Sequence, residues 1–123
     1  MTKSGPRVLL VEDEIIVCWL LEEMIGELGY TVVGPAARIS QALSIIESVA
    51  IDAAVLDLNL DGEPSYAIAD ALLERGIPFV FSTGYNKDSV REGYRSVPLL
   101  QKPYHIAELA DAIKKLLPAS LTV

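Results

Sequence analysis

Cysteine is nearly absent: Cys18 is the single one in 123 residues. No disulfide can form within the chain, so the fold must be held by its core, which a chain of this length can build. Cys18 lies on an apolar helical stripe and reads as a buried, inert thiol rather than a redox or catalytic one. Histidine is equally scarce. His105 stands alone, which leaves no histidine-based metal centre and no Ser–His–acid hydrolase, and it reads as the start of the last helix. Positive charge is short, with 10 Lys and Arg against 17 Asp and Glu and a net charge of -7. That argues against direct nucleic-acid binding through a basic surface. No run approaches the roughly 18 apolar residues of a membrane span, and no basic leader precedes a long hydrophobic segment. The expectation is a soluble, cytoplasmic protein with no membrane partner. Nucleotide-binding glycine patterns, GxGxxG and GxxxxGK[ST], are also missing.

What is present is a regular alternation of short apolar runs and amphipathic stretches. Val8–Val11, Tyr30–Val33, Ala53–Leu56, Phe79–Ser82 and Pro98–Leu100 read as strands. The central runs are apolar without alternation, as in parallel strands buried on both faces. Between them the spacing predicts helices over Ile15–Leu28, Ile39–Val49, Ser65–Leu73 and His105–Leu117, with a weakly patterned fifth over Lys87–Tyr94. In the first helix Ile16, Leu20, Met24 and Leu28 recur four apart beside Trp19. Gly34–Pro35 is expected to stop the second strand, and Asn59–Pro64 to form a turn-rich loop. The alternation predicts one α/β domain over residues 1–123, a doubly wound parallel sheet with helices on both faces and right-handed crossovers.

Polar groups gather at one end of this sheet. Glu12–Asp13 follows the first strand, Asp57 the third, Thr83 the fourth and Lys102–Pro103 the fifth. The C-terminal edge of an open parallel sheet is where sites form. Clustered carboxylates repel one another unless a cation is present, and hard oxygen ligands favour a small hard cation such as Mg²⁺. Lys102 adds positive charge on the same rim, and Thr83, last before Gly84, is the better-placed hydroxyl than Ser82. Asn59 can lend its carbonyl to a metal, and Gly62 permits a tight turn. Three acids, a hydroxyl and a lysine suit the handling of a phosphoryl group.

These residues resemble the receiver domain of two-component response regulators over essentially the whole chain. The resemblance implies a flavodoxin-like sheet of order 2-1-3-4-5. It implies that Asp57 accepts a phosphoryl group from a phosphohistidine on a sensor histidine kinase or phosphotransfer protein. It further implies Mg²⁺ held by Asp13, Asp57 and the Asn59 carbonyl, with Glu12 acting mostly through water. Lys102 would pair with Asp57 and then with its phosphoryl group, and Thr83 would hydrogen-bond that group. Catalysis would be of the receiver's own phosphorylation and dephosphorylation, and signalling would run through protein contacts, as a monomer or weak dimer. A protein-interaction module that keeps the fold without phosphorylation is the alternative. A small phosphatase with an aspartyl intermediate would need a cap or substrate-binding insertion, which the sequence does not show.

Two features narrow the resemblance. Phe81–Ser82–Thr83–Gly84–Tyr85 resembles the Phe–Ala–Thr–Gly–any–Tyr signature of a receiver subfamily common in alphaproteobacteria, with Ser82 in place of alanine and Tyr85 directly after glycine. That subfamily implies a kinase of the HWE or HisKA2 class. Leu99, three before Lys102, stands where most receivers carry an aromatic switch residue. Tyr85 and Tyr104 are the expected substitutes, and phosphorylation is expected to re-pack residues 84–97 rather than turn one ring.

Overall fold

Apolar strands without alternation need cover on both faces, and the computed structural model of the chain, which describes residues 5–84 and 87–118, shows that cover. In chain order the elements are β1 (Arg7–Val11), α1 (Ile15–Glu27), β2 (Thr31–Ala36), α2 (Ile39–Ser48), β3 (Ala53–Asp57), β4 (Asn59–Leu60), β5 (Glu63–Pro64), α3 (Tyr66–Glu74), β6 (Phe79–Thr83), β7 (Leu99–Gln101) and α4 (Ile106–Leu116). The five long strands form one parallel sheet in the order β2-β1-β3-β6-β7. Counting main-sheet strands alone, that is the expected order 2-1-3-4-5.

Alternate residues of each central strand feed two separate cores. Leu9, Val11, Ala54, Leu56, Phe79 and Phe81 pack with α2 and α3. Val8, Leu10, Ala53, Val55, Val80 and Leu100 pack on the opposite face with α1 and α4. Leu109, Ile113 and Leu117 seal α4, and the Glu108 carboxylate accepts the His105 backbone N–H at its start (3.0 Å). Among the described residues no helix is long and apolar enough to cross a membrane.

Three expectations need correction. First, α1 buries Cys18, Leu21 and Ile25, whereas Ile16 and Trp19 are 78% and 68% exposed. This helix is apolar nearly all round, so a spacing of four selects no single face. Second, β2 is not stopped by Gly34–Pro35 but runs on to Ala36. Gly34 has φ +93°, and a Cβ there would meet the Ala36 nitrogen at 2.9 Å, so glycine alone suits this irregularity. The strand thereby reaches far enough for the Ala36 carbonyl to accept the Glu12 N–H (2.9 Å). Third, Lys87–Tyr94 is not an α-helix. It forms two 3₁₀ turns, Lys87–Ser89 and Glu92–Tyr94.

The loop after Asp57 also has more order than a plain turn. Leu60 pairs with Glu63 in a small antiparallel hairpin. Asp61 (φ +49°) and Gly62 (φ +86°) form its tip, the two successive positive φ values that an Asp–Gly hairpin turn adopts.

Candidate functional site

The register of the sheet assembles the acids. Val11 on β1 pairs with Leu56 on β3, so Glu12 and Asp57 emerge side by side at adjacent strand ends. Glu12 is 2% exposed, Asp57 6%, and Asp13 is half-buried. One oxygen from each of these three carboxylates lies within 4.8 Å of the others. Backbone amides orient them. The Asn59 N–H donates to Asp57 Oδ1 (3.1 Å), the Glu14 N–H to Glu12 Oε2 (3.1 Å), and the Asp61 N–H at the hairpin tip to Asp13 Oδ2 (2.8 Å).

Lys102 reaches this cluster from the end of β7. Its Nζ donates to Glu12 Oε1 at 2.9 Å and to Asp57 Oδ2 at 3.3 Å. The Lys102–Pro103 bond is cis, and the Lys102 N–H donates to the Thr83 carbonyl (2.7 Å). Thr83 is buried and follows Ser82, the register partner of Asp57 on β6. Glu12, Asp13, Asp57, Thr83 and Lys102 thus share the C-terminal edge of the sheet. Asn59 contributes its amide to Asp57, while its exposed side chain lines a neighbouring cavity of about 340 Å³ with Tyr66 and Arg91.

Burial pushes the Asp57 carboxyl up to about 7, with the charge of Glu12 adding to the rise and the Asn59 N–H and Lys102 opposing it. Burial alone would lower the Lys102 ammonium, but Glu12 and Asp57 outweigh it and hold the lysine above its ordinary value. When all are ionised, three carboxylates face one ammonium. The donor set is hard anionic oxygen throughout, so the residues fit a small divalent cation such as Mg²⁺.

Three supporting contacts went unseen in the sequence. Ser65, fully buried, donates its hydroxyl to the Asp57 carbonyl (2.5 Å) and braces the strand end from below. Its one signal is a serine directly before a helical run. The Asp61 N–H on Asp13 depends on the hairpin, which two-residue strands do not announce. Tyr104 places its hydroxyl 3.1 Å from Ser82 Oγ. Burial raises its pKa, against the Ser82 bond and the charge of Lys102.

The sequence profile of the response regulator receiver domain matches residues 8–114. The chain belongs to this family. Among relatives, the positive alginate biosynthesis regulatory protein of Pseudomonas aeruginosa is 33% identical over 115 residues, covering 89% of this chain but 46% of its own length. The chain therefore spans about half of that relative. Sporulation initiation phosphotransferase F of Bacillus subtilis is 30% identical over 91% of this chain and 94% of its own. Among solved structures, SdrG of Sphingomonas melonis Fr1 superposes with a TM-score of 0.82 at 41% identity, covering 94% of this chain and 98% of that one. SdrG of Pseudomonas melonis Fr1 in its BeF3-activated conformation gives 0.80 at 40% identity, with 95% and 100% covered. The receiver of a Pseudomonas aeruginosa PAO1 sensor histidine kinase, with a magnesium ion coordinated in its active site cleft, gives 0.76 at 26% identity, with 92% and 98% covered. This receiver is a phosphorylatable two-component signalling domain. Receivers as a class bind Mg²⁺ and work with histidine kinases or phosphotransfer proteins.

Two expectations about the missing aromatic switch meet the structure here. Tyr85 lies outside the described residues. Among the described residues, the rings that share a core cluster with Leu99 are Tyr66, Phe79, Phe81 and Tyr94: Tyr66 lies 4.5 Å from Tyr94 and 6.1 Å from Phe81, centroid to centroid. The Arg91 guanidinium covers Tyr66 at 4.3 Å, and the Tyr94 hydroxyl donates to Asp70 on α3 (2.5 Å). Tyr104 packs on the opposite core and meets Ser82 instead.

Proposed function

We propose that Asp57 is the phosphoryl acceptor of this receiver. The supporting observation is the cluster of Glu12, Asp13 and Asp57 with Lys102 bonded across two of its members. A carboxylate oxygen of Asp57 attacks phosphorus as the P–N bond of a phosphohistidine breaks, and an acyl phosphate forms. Lys102, already 3.3 Å from Asp57, neutralises oxygens of the transferred group. The Thr83 hydroxyl donates a hydrogen bond to the same group. Asp13, Asp57 and the Asn59 carbonyl are the residues that would hold Mg²⁺, with Glu12 acting through water. The ion's charge would screen repulsion between the carboxylate and the incoming phosphoryl oxygens. The receiver thus assists its own phosphorylation and the later hydrolysis.

The donor is a phosphohistidine on a sensor kinase or phosphotransfer protein. The Phe81–Tyr85 run supports a kinase of the HWE or HisKA2 class. The read-out runs through protein contacts of a cytoplasmic monomer or weak dimer. The test offers phosphoramidate and Mg²⁺ and follows intact mass. Wild type gains one phosphoryl group and Asp57→Asn gains none. A label that persists in the variant would move the site, and an unlabelled wild type under every donor would favour the interaction-module alternative.

A further inference from the structure

We propose that Ser82 and Tyr104 form a positioning pair that holds Lys102 against Asp57, an inference that rests on Asp57 being the phosphoryl acceptor. Tyr104 follows Lys102 with only Pro103 between them. Its ring is half-buried against the α1–α4 core, and its hydroxyl shares a hydrogen bond of 3.1 Å with Ser82 Oγ. Ser82 is 1% exposed, is the register partner of Asp57 and directly precedes Thr83. One hydroxyl pair therefore ties the segment carrying Lys102 to the strand that carries Thr83 and flanks Asp57.

The two hydroxyls account for each other. A serine in a core strand is costly to bury without a partner, and so is a tyrosine tip. The chain buries a hydroxyl within β6 and supplies its partner two residues after Lys102. The bond from the Lys102 N–H to the Thr83 carbonyl holds the segment at one point (2.7 Å). A segment held at one point can still pivot. The Ser82–Tyr104 bond is a second point and sets the direction in which the chain leaves the lysine. With both in place, Nζ sits between Glu12 at 2.9 Å and Asp57 at 3.3 Å. Without the second, the ammonium settles on Glu12, the closer and more buried carboxylate, and its contact with Asp57 weakens. Ser82 and Tyr104 are positioning residues, acting through Lys102.

Tyr104→Phe, Ser82→Ala and the double variant test this with phosphoramidate as donor at saturating Mg²⁺. Ser82→Ala and Tyr104→Phe each remove one hydroxyl and add no volume, and thermal melting checks that each variant folds. The rate at saturating donor falls about 3- to 10-fold in each single variant. The donor concentration for half-maximal rate stays unchanged, and the double variant is no slower than the slower single one, because either change removes the same bond. Single-variant rates equal to wild type, or losses that multiply in the double variant, overturn the pair. Wild type labelled at Asp57 with undiminished variants refutes the positioning pair alone. An unlabelled wild type removes the acceptor reading beneath it.

Discussion

The two sides of the sheet are built differently. On one side, β1 and β3 pair in unbroken register, β2 pairs with β1 through one irregularity at Gly34, and the acids Glu12 and Asp57 emerge from strands whose residues are almost wholly buried. On the other side, β6 is equally buried, but the described residues between it and β7 form two 3₁₀ turns of three residues each. That segment is tied down by side chains. Tyr94 bonds Asp70, Arg91 covers Tyr66, and the Arg95 side chain donates to the Val90 carbonyl (3.0 Å). Among its described residues Val90 is buried in the core, and Tyr94 and Val97 pack against it half-buried. Backbone ladders hold the strands that carry the acids, and side-chain links hold much of the segment beside them. Segments of the second kind open at low free-energy cost, which suits a region that responds to a change at Asp57.

The comparison can be strained from the rigid side first. Lys102→Met leaves Glu12 and Asp57 buried together without their shared cation. We expect a loss of about 3 kcal/mol in denaturant unfolding, most of it restored by Mg²⁺. A loss that Mg²⁺ does not restore would separate Lys102 from the metal site.

Asp57→Asn works in the opposite direction. The folded-state pKa of Asp57, about 7, lies above its ordinary value of 3.8, so the native state binds more protons than the unfolded state between these pH values. Wild-type stability contributed by this group therefore falls as pH rises through that window. The variant should be more stable than wild type at pH 8 by on the order of 2 kcal/mol, with the gap closing near pH 4. A gap that does not change with pH would mean that Asp57 titrates normally.

The same carboxyl sets metal affinity. Mg²⁺ needs the ionised form, so affinity should fall about tenfold per unit below pH 7 where one proton is displaced. Trp19 is the single tryptophan and lines a cavity of about 160 Å³ with Glu12 and Asp13, so its fluorescence can follow the titration. Flat affinity between pH 5.5 and about 7 would contradict the raised value.

The smallest effect belongs to the other side. Tyr94→Phe removes the bond to Asp70. Amide exchange across residues 87–97 should quicken about fivefold, while β1 and β3 stay unchanged. Equal acceleration in both regions would erase the distinction between them. The same measurement with an acyl-phosphate mimic and Mg²⁺ tests the expected re-packing of residues 84–97, which unchanged protection would rule out.

The strands and the site acids were legible because their signals are local. Val8–Val11 and Ala53–Leu56 are unbroken apolar runs, and each is followed directly by its acids. The buried face of α1 was not legible, since Ile15, Ile16, Trp19 and Leu20 are as apolar as the residues that do pack. Nor was the end of β2. Gly34–Pro35 carries the local signal of a stop, yet pairing with β1 carries the strand through it. The helix expected at Lys87–Tyr94 failed because its apolar residues are few. Val90 and the ring of Tyr94 pack from turns, and Gly93 disfavours a regular helix.

By itself, the sequence determined the alternation of strands and helices, the receiver family and the acids and lysine that gather at one edge of the sheet, because apolar runs and strand-end polarity are properties of neighbours in the chain. Tertiary structure alone decided which carboxylates Lys102 bridges, that Ser65 braces the Asp57 carbonyl, and that Ser82 meets Tyr104. Those contacts join residues between 8 and 90 positions apart. They exist only once sheet register and helix cover have brought the strand ends to one edge.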